Sequence, residues 1–153
     1  MAKQLTAEDV RVSLNAHVAA KGAELNAKYG PEIGWSQLKL ILEDRAFVRY
    51  PCTLEFEAGP LQAGEFAHPV ARGEQPEDGF TMYVHPLYLT QLPDVAALVL
   101  YQLVLVNYGE FASSDDALTF GAAALGISED VYYGRLCELM EPLGDGTNGC
   151  SCG

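Results

Sequence analysis

Apolar residues recur along this chain with more than one period, and each change of period marks a change of structure. Val10, Leu14, Val18 and Leu25 return at helical spacing. Thr6 is placed to cap that helix, with Asp9 three residues on as an approximate capping box, and Gly30-Pro31 ends it. His17 lies close to the stripe and reads as a partly buried, hydrogen-bonded core histidine rather than a ligand. A second helix is predicted from near Ser36, carrying Leu38, Ile41 and Leu42 inward.

After Tyr50-Pro51 the period drops to two. Thr53-Leu54-Glu55-Phe56-Glu57 alternates strictly, which predicts a strand with one wet face. Gly59-Pro60 and Gly64 mark turns, and Glu65 to Ala71 reads as a second strand. Pro69 has no amide to donate, so that strand belongs at an edge or is interrupted. Gly73 to Gly79 is a loop rich in glycine, proline and acid. Phe80, Met82 and Val84 then alternate with Thr81, Tyr83 and His85 in a third strand.

The remainder reads as helical. Pro93-Asp94 starts a segment, Val95 to Tyr108, that is apolar nearly all round and so predicts a central buried helix. Gln102 and Asn107 are its polar exceptions, and each must find a partner or cost about 1–3 kcal/mol. Gly109 ends this helix. Ser114 or Asp115 caps the next, which runs through Phe120 to Leu125 and closes at Gly126. Ser128 begins a last helix with Val131, Leu136, Leu139 and Met140, stopped by Pro142. Helices, a strand cluster and helices again predict an α+β domain, a small antiparallel or mixed sheet packed against helices. One domain over residues 1–143 is expected, followed by a flexible Gly/Cys tail at 144–153, with no internal repeat.

Composition narrows the partners. The chain has 153 residues, 49% of them hydrophobic and 20% charged, which suits a globular domain rather than a disordered one. Nine basic against twenty-one acidic residues give a net charge of −12. That charge disfavours phosphate backbones and anionic lipid surfaces, and no basic stripe is visible along the chain. Neither nucleic acid nor membrane is expected as a partner. The start, Met1-Ala2-Lys3-Gln4-Leu5, lacks the apolar core of a signal peptide, and the run Val95 to Val106 is too short to span a bilayer. A cytoplasmic location is expected.

The order of segments from Phe80 to Leu139 resembles the core of a zincin-type metallopeptidase. Met82-Tyr83-Val84-His85-Pro86 precedes the buried helix after a spacer containing Leu92-Pro93. Asp116-Ala117-Leu118-Thr119-Phe120-Gly121-Ala122-Ala123-Ala124-Leu125-Gly126 has the apolar and glycine spacing of the segment that supplies a third ligand in that family. Tyr101-Gln102-Leu103-Val104-Leu105 then stands where the family carries HExxH. Tyr101 is a poor zinc ligand, Leu105 is none, and Gln102 cannot take a proton at neutral pH. Asp116 keeps an acid near the third-ligand position. The resemblance implies a peptidase scaffold without its catalysis, a groove binding a polypeptide between the edge strand and the buried helix, where an extended segment adds as a strand. An unrelated α+β fold accounts for the same order of elements.

Two further chemistries are carried by the residues themselves. Cys150-Ser151-Cys152 offers two thiols one residue apart, able to chelate Zn(II) or Cu(I), to form a strained disulfide or to exchange with a partner's thiols. A closed zinc site needs about four ligands. Cys52 and Cys137 are the available additions, although Cys137 reads as a small buried hydrophobe. This gives a second expectation, a thiol or metal carrier; otherwise no cofactor is expected. His68 and His85, with Asp116, form a third candidate as a metal site or acid/base pair of a hydrolase, against the plainer reading of two solvent-facing strand histidines. Tyr83, Tyr88, Tyr132 and Tyr133 suit either a contact surface or ordinary packing with wet hydroxyls. No phosphate loop of the GxxxxGK or GxGxxG kind and no GxSxG elbow is present.

Overall fold

The computed structural model describes residues 7–143. The cap expected at Thr6 and the tail expected at 144–153 lie outside the described residues. In chain order the elements are α1 (Ala7–Tyr29), α2 (Trp35–Leu42), β1 (Cys52–Phe56), β2 (Ala67–Ala71), β3 (Phe80–Val84), α3 (Leu92–Tyr108), α4 (Ser114–Leu125) and α5 (Glu129–Met140). The fold is α+β, as the alternation of periods predicts.

The sheet is mixed, in the order β1-β3-β2, with β1 parallel and β2 antiparallel to β3. Pro69 sits on β2 opposite Met82, at an edge where its missing amide leaves no ladder bond unmade. The strand begins at Ala67 rather than Glu65. Thr53 and Glu55 face out from β1, and Met82 and Val84 of β3 are fully buried. The inner face of the sheet rests on α3, chiefly through β2.

α3 runs through the centre because almost every side chain along it is apolar. Val95 to Leu100, Leu103, Val104 and Val106 are all buried in one core with Val18 and Leu25 of α1, Leu38 and Ile41 of α2, and Phe120 of α4. α1 packs chiefly against α4. A Cβ at Gly22 would stand 2.7 Å from both the Phe120 carbonyl oxygen and the Ala123 Cβ, so only glycine lets the two helices approach this closely. Two asparagines flank the contact. Asn15 Nδ2 donates to Asp116 Oδ1 (2.9 Å) and Thr119 Oγ1 (3.1 Å), and Asn26 Nδ2 donates to the Ala124 carbonyl (2.9 Å).

Tyr88 and Tyr132, which suit either a contact surface or ordinary packing in the sequence, are packing residues and fully buried. Their hydroxyls are not wet. Tyr132 donates to the Ala97 carbonyl and Tyr88 to the Leu139 carbonyl, each at 2.6 Å. Burial pushes the Tyr88 hydroxyl up to about 12 and raises that of Tyr132 further. The Tyr132 ring occupies the space a side chain at Gly121 would need, which explains the glycine on α4.

Local boundaries shift by a residue where caps decide them. The α4 N-cap is Ser113, one residue before the expected Ser114 or Asp115: its Oγ accepts from the Asp116 amide while Asp116 Oδ2 accepts from the Ser113 amide. Ser128 caps α5 as expected, its Oγ accepting from Val131 N at 3.1 Å. His17 corrects another expectation. It is exposed on α1 and meets only the edge of the Tyr108 ring, at 5.7 Å between centroids. The helical spacing places it one position off the stripe that Val18 occupies.

Candidate functional site

Tyr101, Leu105 and Tyr108 recur at one face of α3, and the fold covers that face least. Tyr101 and Tyr108 are half-buried, and Leu105 is 37% exposed. Tyr101 lies against Phe66 with ring centroids 5.9 Å apart. Gln102 faces inward, only 7% exposed, and its Oε1 has no hydrogen-bond partner among the described residues. The partner expected for this buried oxygen is therefore missing among the described residues.

Asp116 is 1% exposed, and both its carboxylate oxygens are engaged, Oδ1 by Asn15 of α1 and Oδ2 by Ser113. Its acid serves a helix cap and the α1–α4 contact. With an alkyl group at Leu105, an amide at Gln102 and Asp116 committed to these bonds, the set does not fit zinc.

His68 and His85 are brought near one end of the same pair of strands, since His68 lies opposite Tyr83 in the β2–β3 ladder and His85 follows Val84. Each has local work. His68 Nδ1 lies 3.4 Å from Glu65 Oε2. His85 Nδ1 accepts from the Leu87 amide (3.1 Å), capping the short turn after β3, and its ring meets the Tyr88 ring edge-on. Among the described residues, no group of three His, Cys, Asp or Glu side chains is disposed to hold a metal ion. Cys52 and Cys137 are buried free thiols, and desolvation pushes Cys52 up to about 11. Cys150 and Cys152 lie outside the described residues, so the tail remains an expectation.

What the fold does assemble is a pair of adjoining hollows at the C-terminal end of α3. The larger, about 810 Å³, is walled mainly by apolar groups, among them Leu14, Tyr50, Phe80, Leu105 and Tyr108. Phe111, 86% exposed, stands at its margin. The smaller, about 440 Å³, is lined by His17 and Lys21 of α1, by Arg45 and Arg49 of the α2–β1 connection, and by Phe47 and Phe120. Arg49, Asn107 and Tyr108 belong to both.

Asn107 fixes this geometry. Its Nδ2 donates to the Phe47 carbonyl (2.7 Å), and its Oδ1 accepts from the Arg49 amide (2.8 Å). Arg49 Nη1 returns a bond to the Asn107 carbonyl (3.0 Å), and the guanidinium lies 5.7 Å from the ring centroids of both Tyr50 and Tyr108. On its other side the connection is tied to α1. Asp44 Oδ2 accepts from Lys28 Nζ (2.6 Å) and from the Tyr29 hydroxyl (2.7 Å), and these bonds hold the Asp44 carboxyl at about 2, below the usual carboxylate range.

Sequence reasoning did not see the basic cluster. His17 and Lys21 are one turn apart, as are Arg45 and Arg49 by count, but nothing local says that the two pairs face one hollow. No described helix is long and apolar enough to cross a membrane. Compared with models of protein families, with curated proteins and with solved structures, the chain matches none.

Proposed function

We propose that this chain is a non-catalytic protein-interaction domain whose partner inserts an apolar stretch of polypeptide into the larger hollow. The observation that supports this reading best is the apolar wall at the end of α3, with Leu105 partly open to it and Phe111 standing almost fully exposed beside it. Single exposed apolar side chains are ordinary, but a concave patch of them within the roughly 300–1,000 Å³ of a ligand pocket is the usual mark of a binding site. Covering a Phe side chain is worth about 1.5–3 kcal/mol, enough for two such residues to dominate a small interface.

The zincin resemblance enters this reading as ancestry. On that view the order β3, His85-Pro86, α3, α4 descends from a peptidase core, and Tyr101 and Leu105 occupy the helix face that once held metal. The binding place then lies further toward the C-terminal end of α3 than the strand-side groove expected from sequence. Support for the non-catalytic part is chemical: phenol, amide and alkyl groups stand where imidazoles and a carboxylate are required.

The test compares affinity capture by the full chain with capture by Leu105→Asp and Phe111→Asp, both at accessible positions. A partner recovered by the parent and lost at least tenfold in both variants, at unchanged thermal stability, supports the reading. Equal recovery by all three sinks it. So does peptide-bond cleavage that persists through stringent purification.

A further inference from the structure

The smaller hollow holds a charge pattern at odds with the rest of the molecule. The chain carries nine Lys and Arg against twenty-one Asp and Glu, yet three of the nine, Lys21, Arg45 and Arg49, line this one hollow, and among the described residues no carboxylate does. Cations gathered together repel one another, and an acidic protein has acids to spare for neutralising them. Among the described residues Lys21 has a loose ionic contact with Glu24, at 3.7 Å, and lies 5.6 Å from the Phe47 ring centroid, and neither arginine has an ion pair. Asp44, next to Arg45 in the chain, is occupied by Lys28 and Tyr29.

Both guanidinium groups are also held in place. Arg45 Nη1 donates to the Leu42 carbonyl (3.3 Å), and Arg49 is anchored by the Asn107 carbonyl and flanked by two tyrosine rings. Each anchor uses one N–H of a five-donor fork, leaving the others directed elsewhere. Phe47, Phe120 and Tyr108 supply the aromatic part of its lining.

We propose that this hollow binds a phosphate monoester. One arginine satisfies a single carboxylate with two parallel bonds, whereas three cations with no carboxylate among the described lining residues match a dianion with three strong acceptor oxygens. Because Arg49, Asn107 and Tyr108 are shared with the apolar hollow, a phosphate held by the arginines places whatever it is attached to against Leu105 and Tyr50. The occupant is a phosphate carried on an aromatic or aliphatic body. This assignment stands on the charge geometry of the smaller hollow; the body carried on the phosphate takes the larger hollow that the interaction reading gives to polypeptide, so the two occupants exclude one another there.

Titrations of the full chain with inorganic phosphate and with phenyl phosphate, at ionic strength matched by sodium chloride and followed by amide resonances, test it. Saturable shifts are expected at Phe47, Arg49, Asn107 and Tyr108, with phenyl phosphate binding at least tenfold tighter than inorganic phosphate. Arg45→Gln and Arg49→Gln each weaken binding tenfold or more. Arg72→Gln, on the sheet where Arg72 bonds Thr53 and Thr81, leaves it unchanged. Shifts that follow salt without saturating, or that survive both arginine substitutions, overturn the site. Equal affinity for the two probes overturns the apolar half of the assignment. Arg45 and Arg49 are exposed, and thermal melts of both variants that match the parent separate loss of binding from loss of fold.

Discussion

Gln102 and Asn107 are the two polar side chains that α3 buries, little more than a turn apart, and their surroundings treat them differently. Asn107 meets the connection between α2 and β1, where the chain follows no ladder and the Phe47 carbonyl and the Arg49 amide need partners; its amide supplies both. Gln102 lies mid-helix, and its Oε1 has no partner among the described residues. A buried amide stabilises where irregular backbone lies against it and costs where it does not. The same chemical group is a clamp at one end of the helix and a liability at its middle.

The largest expected effect comes from breaking the clamp. Asn107→Ala strands a carbonyl and an amide together, so it should cost about 2–3 kcal/mol, a fall of roughly 5–10 °C in Tm for a chain of this size. Thermal unfolding that matches the parent would show that Phe47 and Arg49 find other partners. The converse substitution sharpens the contrast. Gln102→Met keeps the volume and removes the lone oxygen, so stability should stay level or rise by up to about 1 kcal/mol. A clear loss in denaturant melts would reveal a partner for Oε1.

The smallest effect distinguishes the two ties on the same connection. Asp44 is titratable, whereas Asn107 is not. The Asp44 carboxyl is held low, at about 2, so its stabilisation is complete above the ordinary carboxylate range near pH 4 and fades as pH falls through 2. The Tm gap between the parent and Asp44→Asn should therefore close between pH 4 and pH 2, while the Asn107→Ala gap stays open. A gap for Asp44→Asn that is the same at pH 6 and pH 2 would remove the ionic account.

Much of the architecture is legible because it is written in short-range pattern. The unbroken apolar run at 95–106 forces α3 inward, the alternation at 53–57 and 80–84 produces strands, and Pro69 confines β2 to an edge. The pairing of β1 with β3 in parallel is not local and leaves no such trace. The burial of Tyr88 and Tyr132 depends on the Leu139 and Ala97 carbonyls, which only the folded chain brings within reach. The resemblance of 80–139 directs attention to Tyr101 and Leu105, and these do lie on the least covered face of α3. Asp116, by contrast, turns to Asn15, a residue that no spacing rule connects to it. The cationic hollow is the extreme case. Its parts come from α1 and from the α2–β1 connection, and a chain-wide count of charge conceals them.

The glycine contact between α1 and α4 has a consequence for how the protein is made. α1 leaves the ribosome well before the segment that supplies its main docking surface, since Gly22 waits for Phe120 and Ala123. Until residues 114–125 emerge, the face of α1 that α4 covers stays open to water. Pairings of such separation are slow to form and leave apolar surface open in the interval. A nascent chain halted before Ser114 should therefore remain protease-sensitive along its whole length, α1 included.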